Sequence, residues 1–123
     1  MKKILIIDDE PQIVLLASNR LQANGYAVVT ASSGKQGLKK AKKEMPDLIL
    51  LDQVMPEMDG GEVLDHFKKD PLLMHIPVLM FTADVKKVKV GEAQKRGAAD
   101  CLFKPFSPKT FLEKVKEVLN KKS

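Results

Sequence analysis

The segment Lys3-Ile4-Leu5-Ile6-Ile7-Asp8-Asp9-Glu10 sets an apolar run directly against three acids. Four consecutive aliphatic residues show no alternation of polar and apolar positions, so they read as a strand buried on both faces. Strands of that kind belong to parallel sheets, whose crossovers are helices. The remainder of the chain repeats the pattern. Apolar runs at Lys3–Ile7, Ala27–Ala31, Leu48–Leu51, Val78–Phe81 and Ala99–Phe103 alternate with longer segments of helical period. Five such pairs predict an α/β fold, a doubly wound parallel sheet with five helices covering both faces. The second run is the least apolar and suits an edge strand.

Punctuation between the runs agrees. Ser33 followed by Gln36 predicts a capping box, Ser107-Pro108 places a cap before a proline at the first helical position, and Asn24-Gly25 reads as a helix stop. Phe111, Leu112, Val115, Val118 and Leu119 form one stripe, so the last helix should dock on the sheet. The segment Asp84–Arg96 is the weakest helix, because Val85, Val88 and Ala93 make a thin stripe and Gly91 costs ~1 kcal/mol relative to Ala. The one longer irregular stretch is Asp52–Gly61, punctuated by Pro56 and Gly60-Gly61. With no linker or low-complexity tract, residues 1–123 read as a single domain.

A chain that is 44% hydrophobic and 30% charged has a globular composition, and no apolar run is long enough to span a bilayer. Met1-Lys2-Lys3 is followed by only four apolar residues before the acids, so no secretory signal is legible and a cytoplasmic location is expected. The lone Cys101 has no internal disulfide partner, which agrees with a reducing compartment. A net charge of +5 raises the possibility of nucleic acid. The lysines, however, are spread over several segments (Lys39, Lys40, Lys42, Lys43; Lys86, Lys87, Lys89; Lys114, Lys116, Lys121, Lys122) with few aromatics among them for base stacking. Solvated helix faces account for most of them, and neither nucleic acid nor membrane is expected as a direct partner.

In an open parallel sheet the loops after the carboxyl ends of the strands share one edge and form the binding crevice. The residues there are Asp8, Asp9 and Glu10 after the first strand, Asp52 after the third, Thr82 after the fourth and Lys104 after the fifth. Two carboxylates ~4 Å apart repel by about 4 kcal/mol at an effective dielectric near 20, so the crevice wants a cation. Every candidate ligand is a hard oxygen, which selects Mg²⁺, Mn²⁺ or Ca²⁺ over zinc or copper, and few protein ligands with room for water and phosphate is the habit of Mg²⁺. Asp52 is then the candidate nucleophile, since a carboxylate can accept a phosphoryl group as an aspartyl phosphate. Such a transfer needs positioning and charge neutralisation, from the metal and the Lys104 ammonium, with the Thr82 hydroxyl donating to a phosphoryl oxygen. Strand-end acids also serve merely as helix caps, and Asp8, Asp9 or Glu10 ahead of Pro11 could do only that.

Taken together, Ile6-Ile7-Asp8-Asp9-Glu10, Leu50-Leu51-Asp52 with Met55-Pro56 and Asp59-Gly60, Phe81-Thr82-Ala83, and Lys104-Pro105-Phe106 resemble the pattern of two-component response-regulator receiver domains across essentially the whole chain. The resemblance implies a flavodoxin-like sheet in the order 2-1-3-4-5, and phosphotransfer to Asp52 from a histidine kinase or histidine phosphotransfer protein. It further implies that Asp9, Asp52 and the backbone carbonyl of Val54 ligate Mg²⁺, that Asp8 does so through water, and that Lys104 pairs with the phosphoryl group. Cys101 departs from the pattern: receivers that signal usually carry Tyr or Phe three residues before the lysine. Without that ring, the signal is expected to pass from Thr82 through the following loop into the weak helix. Cys101 itself reads as a small packing residue, and His66 and His75 as surface residues.

A phosphatase of the haloacid-dehalogenase type would need an acid two residues after the nucleophile, where Val54 stands. Nucleotide binders need glycines after a strand to bring N–H groups to phosphate, where this chain has acids. A pure interaction module would not need the acid, threonine and lysine set. Two receiver roles remain open, a stand-alone signalling protein and a receiver cut from a longer regulator with an output domain.

Overall fold

The computed structural model describes residues 1–53, 55, 58–82, 97–103 and 107–121. Five parallel strands, β1 (Lys3–Ile7), β2 (Ala27–Ala31), β3 (Leu48–Asp52), β4 (Val78–Thr82) and β5 (Asp100–Phe103), form one sheet in the order β2-β1-β3-β4-β5. This is the flavodoxin-like order that the resemblance to receiver domains implies. The first two strands begin and end where the apolar runs do. The third and fourth each run one residue further, to Asp52 and Thr82, and the fifth starts one residue later.

Four helices lie among the described residues: α1 (Pro11–Ala23), α2 (Gly34–Glu44), α3 (Gly60–Lys69) and a C-terminal helix (Pro108–Lys121). The expected helix at Asp84–Arg96 lies outside them. Successive strand residues point to opposite faces, and the core divides accordingly into two layers. Ile4, Ile6, Leu48, Leu50, Leu79 and Phe81 pack under α1 and the C-terminal helix, whose Phe111, Val115, Val118 and Leu119 are the expected stripe. On the other face Leu5, Ile7, Ile49, Leu51, Val78 and Met80 pack under α2 and α3. Strand β2 is one of the two edges, and its residues are half-buried up to the terminal Ala31.

Caps set where the helices begin. The Ser33 Oγ accepts the Gln36 N–H (3.2 Å) and the Ser107 Oγ accepts the Thr110 N–H (3.0 Å). The capping box expected at Ser33 closes differently. Gln36 Oε1 accepts from the Ser32 N–H (3.1 Å) and the Ser32 hydroxyl (3.0 Å), one residue before the Ser33 cap. Asn24-Gly25 ends α1 as expected, with Gly25 in the left-handed region at φ 88°. Helix α2 rests so closely on the sheet that a Cβ at Gly37 would stand 2.4 Å from the Ile7 Cδ1.

Candidate metal and phosphoryl-acceptor site

The acids after β1 and at the end of β3 meet because β1 and β3 are neighbours in register, Ile7 opposite Leu51. Asp8 prolongs the β1 ladder through its N–H to the Ala31 carbonyl (3.1 Å), and Asp52 is the last residue of β3, opposite Phe81 of β4. Both side chains are sunk in the crevice, Asp8 being 1% and Asp52 3% exposed. Two rigid strand ends thus hold two carboxylates where neither can turn freely to solvent.

Glu10 is the third member. The Glu10 N–H donates to Asp8 Oδ1 (3.0 Å), a bond from residue i+2 that curls the chain back over the strand end. Glu10 occupies the cap position of α1 yet makes no side-chain cap bond, while Pro11 supplies the first helical residue. Its carboxylate, solvent-exposed, stands with those of Asp8 and Asp52 in a group whose oxygens lie within 4.8 Å of one another. Capping alone therefore does not describe these acids.

The sequence-predicted residues divide into three sets. Asp8 and Asp52 come together as expected, joined by Glu10, a crevice acid that the family resemblance leaves out of the ligand set. Asp9, half-buried, is not one of the three converging carboxylates and lines a neighbouring cleft of about 480 Å³ with Pro11, Leu15, Thr30, Gln36 and Lys40. Thr82 ends β4, one strand over from Asp52, opposite Phe103 of β5. Val54 and Lys104 lie outside the described residues. The reach of Glu10 had one possible signal in the sequence, an aspartate two residues before a helix-starting Glu-Pro, since such aspartates commonly accept the i+2 N–H.

The donor set has a definite chemistry. Three carboxylates at up to 4.8 Å repel one another by roughly 3 kcal/mol per pair at an effective dielectric near 20. They offer hard oxygen and no sulfur or imidazole, so the group fits a hard divalent cation. Two of the three are buried, and the third, Glu10, stands on the exposed side.

Cys101 sits on β5 opposite Met80 and is 8% exposed, within the core layer under α2 and α3. Burial, and secondarily the Asp100 charge beside it, pushes its thiol above the ordinary cysteine range. It is a packing residue, as the sequence reading has it. His66 and His75 are exposed. No described helix is long and apolar enough to cross a membrane.

Comparison with known proteins agrees with this geometry. A family model described as the response regulator receiver domain matches residues 4–116. The alkaline phosphatase synthesis transcriptional regulatory protein PhoP of Bacillus subtilis is 42% identical over 120 residues, covering 98% of this chain and 49% of that protein. The DNA-binding dual master transcriptional regulator RpaA of Synechocystis is 39% identical over 127 residues, covering 98% of this chain and 50% of that one. The chain spans about half the length of these curated relatives. Among solved structures, the chemotaxis protein CheY4 of Vibrio cholerae superposes with a TM-score of 0.88 at 36% identity, covering 96% of this chain and 98% of that one. A response regulator receiver domain protein from Clostridium thermocellum gives 0.90 at 30% identity, with 99% and 97% covered.

Proposed function

Because the chain belongs to the response regulator receiver family of two-component systems, we propose that it accepts a phosphoryl group on Asp52 from the phosphohistidine of a histidine kinase or phosphotransfer protein. The observation that carries this reading is the convergence of the Asp8, Glu10 and Asp52 carboxylates at the carboxyl ends of two adjacent strands. An Asp52 oxygen forms the new bond to phosphorus as the phosphorus–nitrogen bond of the donor breaks. A buried carboxylate on a strand end is held in place before the donor arrives.

Bound Mg²⁺ would supply neutralisation of the carboxylates and of the phosphoryl oxygens. Asp8, Asp52 and Glu10 would hold it from the crevice, with Asp9 and the Val54 carbonyl as the further ligands that the family pattern suggests. Thr82 would donate its hydroxyl to a phosphoryl oxygen and Lys104 its ammonium. Thr82 belongs to the strand beside β3, which supports its role. The consequence of phosphorylation would be a shift of Thr82 that passes into the segment after β4.

Intact-mass measurement after incubation with acetyl phosphate and Mg²⁺ tests the reading. One phosphoryl adduct is expected on the unaltered chain, and none on Asp52→Asn or in excess chelator. Mg²⁺ should also raise the melting temperature, since a ligand selective for the folded state stabilises it by mass action. An adduct that persists in chelator, or that maps to another residue, overturns the assignment.

A further inference from the structure

Nearly all of the net charge sits on one helix. Of 21 basic residues five are in α2 (Lys35, Lys39, Lys40, Lys42, Lys43), opposed there only by Glu44, so that eleven residues carry +4 of the total of +5. The rest of the chain holds sixteen basic against fifteen acidic residues and is close to neutral. Folding does not cancel the excess. Glu44 is paired with Lys3 from β1 (3.0 Å), which holds its carboxyl below the usual range, so its charge is already engaged from outside the helix. Lys42 reaches Asp70 at 3.5 Å, and the Lys40 ammonium donates to the Thr30 carbonyl, which carries no formal charge. Lys35, Lys39 and Lys43 are exposed and make no ion pair with any described residue.

These three occupy every fourth position and form a single row about 12 Å long. The inward face of the same helix is Gly34, Gly37 and Ala41, all buried, so α2 lies flat on the sheet and presents only its lysine side. This geometry selects among anionic partners. A membrane-surface helix needs apolar residues to insert, and Leu38 is half-buried against the core. A stacking site for single-stranded nucleic acid needs aromatic residues, and α2 has none. A flat-lying helix does not enter a groove of duplex DNA, and a row of three lysines neutralises too few phosphates to hold it at physiological salt. An acidic helix matches the row one carboxylate to one ammonium.

We propose that the outer face of α2 is a docking surface for an acidic protein helix whose carboxylates repeat at the same four-residue spacing. The proposal does not depend on the phosphoryl chemistry. The test is an amide NMR titration of the whole chain at about 0.15 M salt, where the screening length is about 8 Å. The probes are a helical peptide with Glu at every fourth position, a peptide of the same composition with the Glu residues distributed around the helix, duplex DNA, and vesicles of phosphatidylglycerol and phosphatidylcholine. Expected are shifts centred on residues 35–43 with the first peptide, and a Kd raised about tenfold or more by the triple variant Lys35→Glu, Lys39→Glu, Lys43→Glu. Acetyl phosphate labelling of that variant should be unchanged, which separates this surface from the acidic site. Should the charge-reversed variant not fold, the triple Lys→Gln variant reads the same loss. No shift, a shift centred elsewhere, equal binding of the second peptide, or tighter binding of DNA or vesicles overturns the proposal.

Discussion

Lys114 of the C-terminal helix places its ammonium 2.8 Å from Oδ2 of Asp100, the first residue of β5. The other oxygen, Oδ1, accepts the Cys101 N–H at 2.8 Å, so one carboxylate ties a helix to the start of a strand. Both side chains are half-buried. The hydrogen bond from Lys114 to Asp100 outweighs the opposing effect of desolvation and raises the Lys114 pKa above the ordinary lysine value.

A double-mutant cycle with Asp100→Asn and Lys114→Met should give a coupling of about 0.5–1 kcal/mol in urea unfolding, since partial exposure screens the pair. The sign of its pH dependence follows from the raised lysine. Its stabilisation is fully present below the unfolded pKa and is lost as pH rises through the folded one, so coupling should hold at pH 7–9 and fade only above about pH 10.5. A coupling that disappears between pH 7 and 9 contradicts this account.

Gly60→Ala should be among the costliest single-methyl additions in the chain. A Cβ there would stand 2.4 Å from the Asp52 carbonyl oxygen and 2.7 Å from the Gln53 Cα, both backbone atoms with no rotamer to yield. The same residue's N–H donates to the Gln53 carbonyl (2.9 Å), which anchors α3 directly behind the acidic site. Denaturation should show a loss of about 1–3 kcal/mol, and Mg²⁺ affinity should fall with it because Asp52 must move. Gly25→Ala has open space around it and should leave Mg²⁺ affinity unchanged, its cost arising only from the backbone angle. Equal Mg²⁺ affinity in the Gly60 variant and the unaltered chain would rule out this coupling.

Burial raises the Cys101 thiol, so at pH 8 it should stay protonated and react with iodoacetamide only when the core opens. Alkylation rates by mass spectrometry should therefore rise with urea in step with global unfolding. Cys101→Tyr would place a ring in a core layer bounded by α2 and α3, at a cost of about 1–3 kcal/mol. A variant as stable as the unaltered chain would mean that the layer has room which the packing does not suggest.

Met45, the residue after α2, adopts the left-handed region at φ 45°, with its N–H on the Ala41 carbonyl (2.9 Å). A side chain there costs roughly 1–2 kcal/mol relative to glycine. The methionine is 46% exposed, so its packing offsets that cost only in part. Met45→Gly should raise the melting temperature by a few degrees, part of the backbone gain being returned to the more flexible unfolded chain. A lower melting temperature would show that the exposed side chain makes a stabilising contact after all.

What the sequence determined by itself was the strand set and the meeting of acids at one edge of the sheet. Aliphatic runs bounded by turn residues are local, and the burial they demand leaves few alternatives, which is why Lys3–Ile7 and Ala27–Ala31 match their strands end to end. The acids at Asp8 and Asp52 were legible for a related reason, since a parallel sheet brings all its strand ends to one edge. Tertiary structure alone decided the rest. Whether Asp9 or Glu10 joins Asp8 and Asp52 depends on how the chain turns into α1, and an Asp8 hydrogen bond to the Glu10 N–H sets that turn. The lysines of α2 looked like one solvated group among several, because charge in a sequence has no neighbours. Only the fold shows that Glu44 is engaged by Lys3 and that Lys35, Lys39 and Lys43 share one exposed row, since side chains distant in sequence neutralise one another only where packing brings them within a few ångströms.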